Sequence, residues 1–372
     1  MRIGVPKEVK NHEYRVGMVP SSVRESVGNG HEVFVETNAG AGIDISDDDY
    51  RQAGAIIVDT AAEIFATTDL IVKVKEPQLN ECKMLREGQI LFTFLHLAPD
   101  PKQANLLIES GCTAIAYETV TDDQGRLPLL APMSEVAGRM SVQAGAHALE
   151  KAQGGRGILL GGVPGVEPGH VVILGAGVVG TNALMMAIGV GAQVTVLDKS
   201  LKRLRELDAQ FGHSLHTIYA TQDAIDRYVC KADLIIGAVL VPGGSAPKLV
   251  SRAMLKNMKP GAVLVDVAID QGGCFETSLP TTHAEPTYVV DGIVHYCVAN
   301  MPGGAPRTST FALNNATVPY IIDIANKGYK RALLEDSRLR EGLNVHRGKI
   351  THPAVATALG MKAYSPMEVL DL

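Results

Sequence analysis

The sequence is poor in cysteine and has no cluster of basic residues. Its five cysteines are scattered and odd in number, and none belongs to a CxxC pair. This pattern argues against a disulfide framework or a structural zinc site and favours reduced thiols in a cytosolic protein. The formal net charge is −6, with 34 Lys and Arg against 40 Asp and Glu. Without a basic run, the chain has no evident surface for nucleic acid or an anionic membrane.

Segments typical of secreted and membrane proteins are also lacking. The opening MRIGVPKEVK has no apolar run of the kind found in secretory signals, so we expect a cytoplasmic location. Residues 171–197 carry no charge and are long enough to suggest a membrane helix. Glycines interrupt this stretch repeatedly, however, and the run divides into strand, turn, helix and strand. We therefore interpret it as the buried start of an α/β sheet.

The chain alternates short apolar runs with segments of helical length, and it does so in two series. Its 372 residues are too many for one typical core and predict about two domains. Alternating strands and helices predict an α/β fold with two Rossmann-like, doubly wound parallel-sheet domains. Long helices predicted at 133–152 and 309–327 bracket the second series. The expected organisation is one domain of residues 1–130 and 307–372, with a second domain of residues 131–306 inserted into it.

The strongest local motif is G-x-G-x-x-G in VVILGAGVVGTNALMMA. Its glycines, Gly175, Gly177 and Gly180, follow a predicted strand and open a predicted helix, and Asp198 ends the next strand. In this context the glycines permit a tight turn, approach of the backbone to a pyrophosphate, and close packing of helix on strand. Asp198 favours NAD over NADP because it would repel a 2′-phosphate, although the nearby cations of Lys199 and Arg203 could accommodate one. The alternative is a glycine-rich turn that binds nothing.

Polar side chains stand at the ends of several predicted strands, where ligands bind in doubly wound sheets. Lys75 ends LIVKVK, His96 ends LFTFLH, Asp270 ends AVLVDVAID and Asn300 ends VHYCVAN, while Arg15 follows the first strand. A histidine at the tip of a buried strand can move protons near neutral pH, but a structural histidine is the plainer reading.

The other polar residues have structural alternatives too. Lys73 and Lys75 could be solvated charges on an edge strand, since they alternate with valine. Arg15 could pair with Glu13 or Glu8, and Asp270 could cap a turn. The recurrence of such residues at the same end of two sheets favours a chemical role over these alternatives.

Several segments together resemble the family of NAD-dependent alanine dehydrogenases and soluble transhydrogenase domains. They are GVPKEVKNHEYRV, KVKEP, FTFLHLA, PLLAPMSEVAGRM, GGRGILLGGVPGV, GAGVVG, DVAIDQGG, HYCVANMPGGAPRTST and NKG. The resemblance covers nearly the whole chain, and saccharopine dehydrogenases are more remotely similar. It implies that Arg15 holds a substrate carboxylate, Lys75 binds substrate, His96 is the acid–base group and Asp270 is the second catalytic residue.

The resemblance also implies a set of cofactor contacts. They are Ser134 (also a plausible N-cap of the long helix), Gly175, Gly177, Val178, Val179, Gly180, Asp198, Arg203, Ala220, Val239, Leu240, Val267, Ala268, Ile269, Asp270, Val298, Ala299, Asn300 and Met301. Some members have serine where this chain has Ala220, so a side-chain bond is lost there. Some also have an acidic residue and a histidine at the positions of Asp323 and Lys327, and the lysine makes a metal site there doubtful.

The implied reaction is the reversible oxidative deamination of L-alanine to pyruvate and ammonium with reduction of NAD. The implied partners are these small molecules and further copies of the chain, since such enzymes are usually hexamers. Two alternatives stay open: the soluble NAD-binding subunit of a transhydrogenase, and a non-catalytic NAD-binding protein.

Overall fold

The structure is a computed structural model, and it describes residues 1–239 and 246–371. The chain divides into two compact units, Met1–Met133 with Ala305–Leu372, and Ser134–Gly304. The second unit is thus inserted into the first. Both are α/β units, as the alternation of apolar runs predicts.

The first unit alternates strands and helices from its first residues. Its elements before the insertion are β1 (Arg2–Val5), α1 (Pro20–Gly28), β2 (Glu32–Glu36), α2 (Asp47–Gln52), β3 (Ile56–Val58), α3 (Ala61–Thr67), β4 (Leu70–Val72), α4 (Leu79–Cys82), β5 (Ile90–Thr93), α5 (Pro101–Ser110) and β6 (Thr113–Ala116). Helix α6 (Ala131–Ala148) then leads into the second unit.

The second unit repeats the alternation and ends in a hairpin. Its elements are β7 (His170–Leu174), α7 (Val178–Gly189), β8 (Gln193–Asp198), α8 (Leu201–Phe211), β9 (His216–Tyr219), α9 (Gln222–Val229), β10 (Leu234–Gly237), α10 (Arg252–Leu255), β11 (Val263–Asp266), β12 (Thr287–Val290) and β13 (Ile293–Tyr296). The first unit is completed by α11 (Pro306–Lys327), α12 (Tyr329–Glu335), α13 (Ser337–Arg340), β14 (Leu343–His346), β15 (Lys349–Ile350), α14 (Pro353–Leu359) and α15 (Pro366–Asp371).

Both sheets are mainly parallel, with antiparallel strands at one edge. Within the described residues the first has the order β15-β14-β6-β5-β4-β1-β2-β3 and the second the order β12-β13-β11-β10-β7-β8-β9. Strand β14 runs antiparallel to β6, and β12 runs antiparallel to β13. The central strands read as unbroken apolar runs because helices cover both faces of the sheet. In β4, for example, Leu70, Ile71 and Val72 are all fully buried.

Several predicted boundaries need correction. The long helix predicted at 133–152 spans Ala131–Ala148, so Ser134 lies within its first turns and is not its N-cap. The second long helix begins earlier than predicted, at Pro306. Strand β4 is central rather than at an edge, and Lys73 directly after it is buried, so the solvated-charge interpretation of Lys73 is wrong.

Candidate active site

His96 lies three residues beyond the end of β5, in an unusual backbone conformation. Its φ is 47°, in the left-handed region that side chains other than glycine rarely adopt. The carboxylate of Glu118 accepts the His96 amide at 2.7 Å and the Leu95 amide at 3.2 Å, which stabilises this turn. The imidazole stacks on Phe94, with ring centroids 5.7 Å apart, and its side chain is 43% exposed. The ring is therefore accessible rather than part of the core.

Glu76 connects this histidine to two lysines. Its Oε2 lies 3.5 Å from Nδ1 of His96 and 4.0 Å from Nζ of Lys75, and its Oε1 accepts a short hydrogen bond from Lys10. Burial by itself would raise the pKa of Glu76, but the hydrogen bond with His96 and the charges of Lys75 and Lys10 hold it well below its usual value. Glu76 is thus a carboxylate that stays ionised beside the imidazole.

A buried charge cluster lies directly behind Lys75. Nζ of Lys73 is 3.0 Å from Glu8 and 2.9 Å from Glu81, and Lys73 is 1% exposed. The other oxygen of Glu8 accepts the amide of Val74 at 2.7 Å and that of Lys75 at 3.3 Å. Burial raises the pKa of Glu8, although Lys73 opposes the shift. The cluster therefore fixes the backbone that carries Lys75.

Arg15 is buried and paired, as one of the structural alternatives predicts. Its Nε and Nη2 donate to the two oxygens of Glu13 at 2.7 and 2.5 Å, and Nη1 lies 3.2 Å from the sulfur of Met133. A guanidinium carries five N–H donors, and the two hydrogen bonds to Glu13 hold this one in a single orientation. A Cβ on Gly17 would lie 2.4 Å from the Val72 carbonyl oxygen, so the segment after Arg15 passes close to the end of β4.

The glycine motif has the geometry of a phosphate-binding turn. Gly175 has a φ of 103°, and a Cβ on Gly180 would lie 1.9 Å from the Gly175 carbonyl oxygen, so both positions require glycine. At Gly177 a Cβ would meet no atom within 4 Å, so space is open beside the first turn of α7. A helix N-terminus with open space in front of its amides suits a bound phosphate. These residues fit a dinucleotide.

Asp198 and Arg203 form the far side of this turn. Asp198, the last residue of β8, accepts the Ala176 amide at 2.7 Å and the Ser200 amide at 2.7 Å. Arg203 donates to the Ala176 carbonyl, to Thr181 and to Glu206, at 2.9, 2.7 and 2.8 Å. The guanidinium is thus already engaged within the turn. The Ala220 amide donates to the Asp198 carbonyl at 3.0 Å.

Asp270 and Asn300 lie in loops beyond the strands to which the sequence assigned them. Strand β11 ends at Asp266, and Asp270 follows in a short 3-10 helix, exposed to solvent. Asn300 lies beyond β13 with a φ of 65°, and its side-chain amide covers Gly303. Its carbonyl is 3.0 Å from Nε2 of His283. Asp270 and Asn300 belong to the second unit, whereas Arg15, Lys75 and His96 belong to the first.

The remaining predicted cofactor residues differ in exposure. Ile269, Val298 and Met301 have buried side chains, so only their backbone could reach a ligand. Partly or more exposed are Ser134, Val178, Val179, Val239, Val267, Ala268 and Ala299. Leu240 lies outside the described residues. The roles of all these residues stay predictions.

Lys327 occupies the place where a metal site was in doubt. Its ammonium lies 2.6 Å from Asp323 and 3.1 Å from Glu335. The positive charge between these two carboxylates is therefore that of the lysine itself. Within residues 1–239 and 246–371, no group of His, Cys, Asp and Glu suited to a metal was found. In the same ranges, no helix is both long and apolar enough to cross a membrane. All five cysteines are free.

Sequence reasoning did not find the roles of three glutamates that organise the first unit. Glu8 and Glu76 lie within the segments GVPKEVKNHEYRV and KVKEP, but the sequence suggests Glu8 only as a possible partner of Arg15 and gives Glu76 no role. Glu118 ends the run TAIAYE in the same way that His96 ends its own run. The rule that selected strand-end polar residues could therefore have found Glu118.

Comparison with known proteins agrees on one family. Residues 4–137 match the sequence family described as "Alanine dehydrogenase/PNT, N-terminal domain", and residues 141–353 match its C-terminal domain. The chain is 60% identical to an alanine dehydrogenase of Halomonas elongata over 362 residues, which is 97% of this chain and 98% of that protein. It is 53% identical to an alanine dehydrogenase of Mycobacterium tuberculosis over 370 residues, with both chains fully covered.

Solved structures support the same grouping. A structure titled L-alanine dehydrogenase superposes with a TM-score of 0.94 at 53% identity, covering 97% of this chain and 99% of that one. A transhydrogenase from Sinorhizobium meliloti superposes with a TM-score of 0.82 over 95% of this chain and 100% of that one, but at 24% identity it shows only a shared fold.

Proposed function

The chain belongs to the alanine dehydrogenase/PNT family, and we propose that it catalyses the reversible oxidative deamination of L-alanine to pyruvate and ammonium with NAD as hydride acceptor. The observation that carries the proposal is the exposed His96 ring, held beside the ionised Glu76 in the same cluster as Lys75. Such a cluster suits proton transfer to and from a small polar substrate.

The first unit is assigned as the substrate domain, and two of its cations are assigned to the substrate. Arg15 would bind the carboxylate, because a guanidinium can donate two parallel hydrogen bonds to it. Glu13 supports this role by holding the guanidinium in one orientation. Lys75 would donate to the carbonyl oxygen of pyruvate or to the hydroxyl of the carbinolamine. Its backbone is fixed for that purpose by Glu8.

His96 is assigned the proton transfers. The substrate ammonium must lose a proton before hydride leaves its α-carbon, and water must then be deprotonated as it adds to the iminium carbon. Collapse of the carbinolamine requires a proton on the departing nitrogen. An imidazole can accept and donate protons near neutral pH, and the Glu76 carboxylate stabilises the imidazolium that forms when it accepts one.

The second unit is assigned as the cofactor domain. When bound, the nicotinamide supplies a hydride acceptor for the substrate α-carbon. The pyrophosphate would be held by the amides at Gly177 and the start of α7, and the adenosine ribose by Asp198. NAD is favoured over NADP because Asp198 is a carboxylate and because the hydrogen bonds of Arg203 keep its guanidinium within the turn. Asp270 would stabilise the positive charge that develops as the iminium forms.

The two alternative functions have weaker support. The transhydrogenase likeness is at the level of fold, and a transhydrogenase subunit would need a partner protein to complete hydride transfer. A non-catalytic NAD-binding protein would not need His96, Lys75 or Arg15, and all three are present. The hexameric state and the cytoplasmic location stay predictions.

A single absorbance assay tests the proposal. The purified chain is mixed with L-alanine and NAD⁺, without any partner protein, and NADH formation is followed in its absorbance band. We expect turnover that depends on alanine, and pyruvate equal in amount to the NADH formed. Absence of turnover in both this direction and the reverse, with NADH binding intact, would refute the proposed activity.

A further inference from the structure

Asp270 lies in a loop that we call the 266–278 loop, which begins at the last residue of β11. The turn after Asp270 contains Gly272 and Gly273, whose φ values of 86° and 79° are in the left-handed region. A side chain at Gly273 would not fit, because its Cβ would lie 2.6 Å from Oδ2 of Asp266. The path of this loop determines where Asp270 stands.

The Asp270 side chain makes no hydrogen bond or ion pair within the part of the chain that the structure describes. Its residue is exposed, and the hydrogen bonds around it are made by the backbone of its neighbours. On the inner side of the loop, the buried carboxylate of Asp266 accepts the amides of Ala268, Cys274 and Phe275. The Asp266 carboxylate is therefore a common acceptor for several backbone amides of the loop.

Lys248 is the corresponding cation, and it binds backbone carbonyls of the same loop. Its ammonium donates to the carbonyl of Gly272 through a short hydrogen bond, to that of Gly273 at 2.9 Å and to that of Phe275 at 3.1 Å. An ammonium has three donors and no acceptor, so three carbonyls satisfy it fully. Each of these bonds is charge-assisted and hence stronger than a bond between neutral groups.

The backbone around Lys248 follows the same loop. The Ala246 amide donates to the Gln271 carbonyl at 3.0 Å, and the Leu249 amide donates to the Cys274 carbonyl at 2.7 Å. These hydrogen bonds hold the backbone on both sides of Lys248, and its side chain extends to the turn after Asp270.

We propose that Lys248 is a positioning residue that holds the turn after Asp270 and thereby places the Asp270 carboxylate for the reaction. The inference rests on the proposed function, since it assumes that Asp270 acts during deamination. The three carbonyls would repel one another if the ammonium were removed, and the turn would relax. A misplacement of about 1 Å in a reacting group can lower turnover by roughly a hundredfold.

The test is Lys248→Ala, with Lys256→Ala as the matched control, because Lys256 is an exposed lysine after α10 with no part in the loop. We expect kcat for alanine deamination to fall about tenfold to a hundredfold in Lys248→Ala. The KM for alanine and the thermal midpoint should change little. Hydrogen exchange should become faster in peptides covering the 266–278 loop.

Chemical rescue separates positioning from a general loss of structure. n-Propylammonium restores the atoms from Cγ to Nζ, and it should recover part of the lost kcat in the deamination direction. Tetramethylammonium carries the charge but no N–H donor, so it should recover nothing. Rescue by both ions, or by neither, would overturn the proposal.

Two further outcomes keep this inference distinct from the proposed function. A wild-type protein without alanine dehydrogenase activity would refute the proposed function. Faster hydrogen exchange in the 266–278 loop of Lys248→Ala would still support the inference that Lys248 holds the turn after Asp270. An active wild type with a Lys248→Ala kcat within about twofold of it would overturn the role of Lys248 alone.

Discussion

Replacing Lys73 by methionine tests the buried charge cluster behind Lys75. Methionine is close to lysine in length and fills the same space, so the change removes the charge with little cavity. Lys73 is the cation between Glu8 and Glu81, at 3.0 and 2.9 Å, and it is 1% exposed. Two carboxylates would then face each other without a counterion and with little access to water.

Loss of one partner from a buried ion pair costs about 3–5 kcal/mol. We expect Lys73→Met to lower the free energy of unfolding by that amount near pH 8. Because burial already raises the pKa of Glu8, loss of the lysine charge should raise it further. A carboxyl with a raised folded-state pKa destabilises the fold when it is ionised, so the loss should shrink as pH falls below that pKa.

The assay is guanidinium-induced unfolding of the wild type, of Lys73→Met and of Lys83→Met at pH 8 and pH 5. Lys83 is exposed, so its replacement controls for the loss of a lysine charge. A cost for Lys73→Met below about 1 kcal/mol, or an equal cost at both pH values, would refute the reasoning.

Three further substitutions test the candidate site. Glu118→Gln should lower kcat roughly tenfold without weakening NADH binding, because a neutral amide accepts the Leu95 and His96 amides less strongly than a carboxylate does. Glu76→Gln should lower kcat/KM, since a neutral amide stabilises the imidazolium that forms on His96 less than a carboxylate does. Gly180→Ala should abolish NADH binding, measured by fluorescence titration, because the new Cβ would lie 1.9 Å from the Gly175 carbonyl oxygen.

Each of these predictions has a control or a contradicting result. Glu109→Gln changes an exposed glutamate of α5 and should leave kcat unchanged, and an equal fall in both variants would contradict the role of Glu118. A kcat/KM for Glu76→Gln equal to that of the wild type would contradict the role of Glu76. Gly189→Ala adds a Cβ that meets no atom within 4 Å, so it should bind NADH normally; normal binding by Gly180→Ala would contradict the steric argument.

Glu76 should also contribute to the pH dependence of stability. Burial opposes its ionisation, but its contacts with His96, Lys75 and Lys10 lower its folded-state pKa on balance. Its stabilisation is therefore fully present above the unfolded pKa of about 4.3 and is lost as pH falls toward the folded value. This loss of stability therefore occurs below pH 5, outside the neutral range in which the enzyme would be assayed.

The fold was predictable because its signals are local. The G-x-G-x-x-G turn, the strand before it and Asp198 after it can be recognised within one short stretch, and the structure has them as β7, α7 and β8. The alternation of apolar runs predicts two α/β units, and the long helices that bracket the second series predict that one is inserted into the other.

The arrangement of the site was not predictable, because it depends on pairs that are distant in sequence. Glu8 meets Lys73 across 65 residues, and Glu118 sets the backbone of His96 from 22 residues away. Without these partners, Lys73 looks like a surface charge and His96 like the last residue of a strand. The sequence likewise predicts a strand end at Asp270. Strand β11 in fact ends at Asp266, which the sequence alone does not distinguish from the apolar residues around it.

The central claim is that His96 performs the proton transfers of alanine deamination. Its most direct test is kcat of His96→Ala measured beside its Kd for NADH. The account predicts that NADH binding stays near the wild-type value while turnover falls by roughly two to four orders of magnitude, the range expected for a lost acid–base group. Turnover near the wild-type value in this variant would contradict the claim.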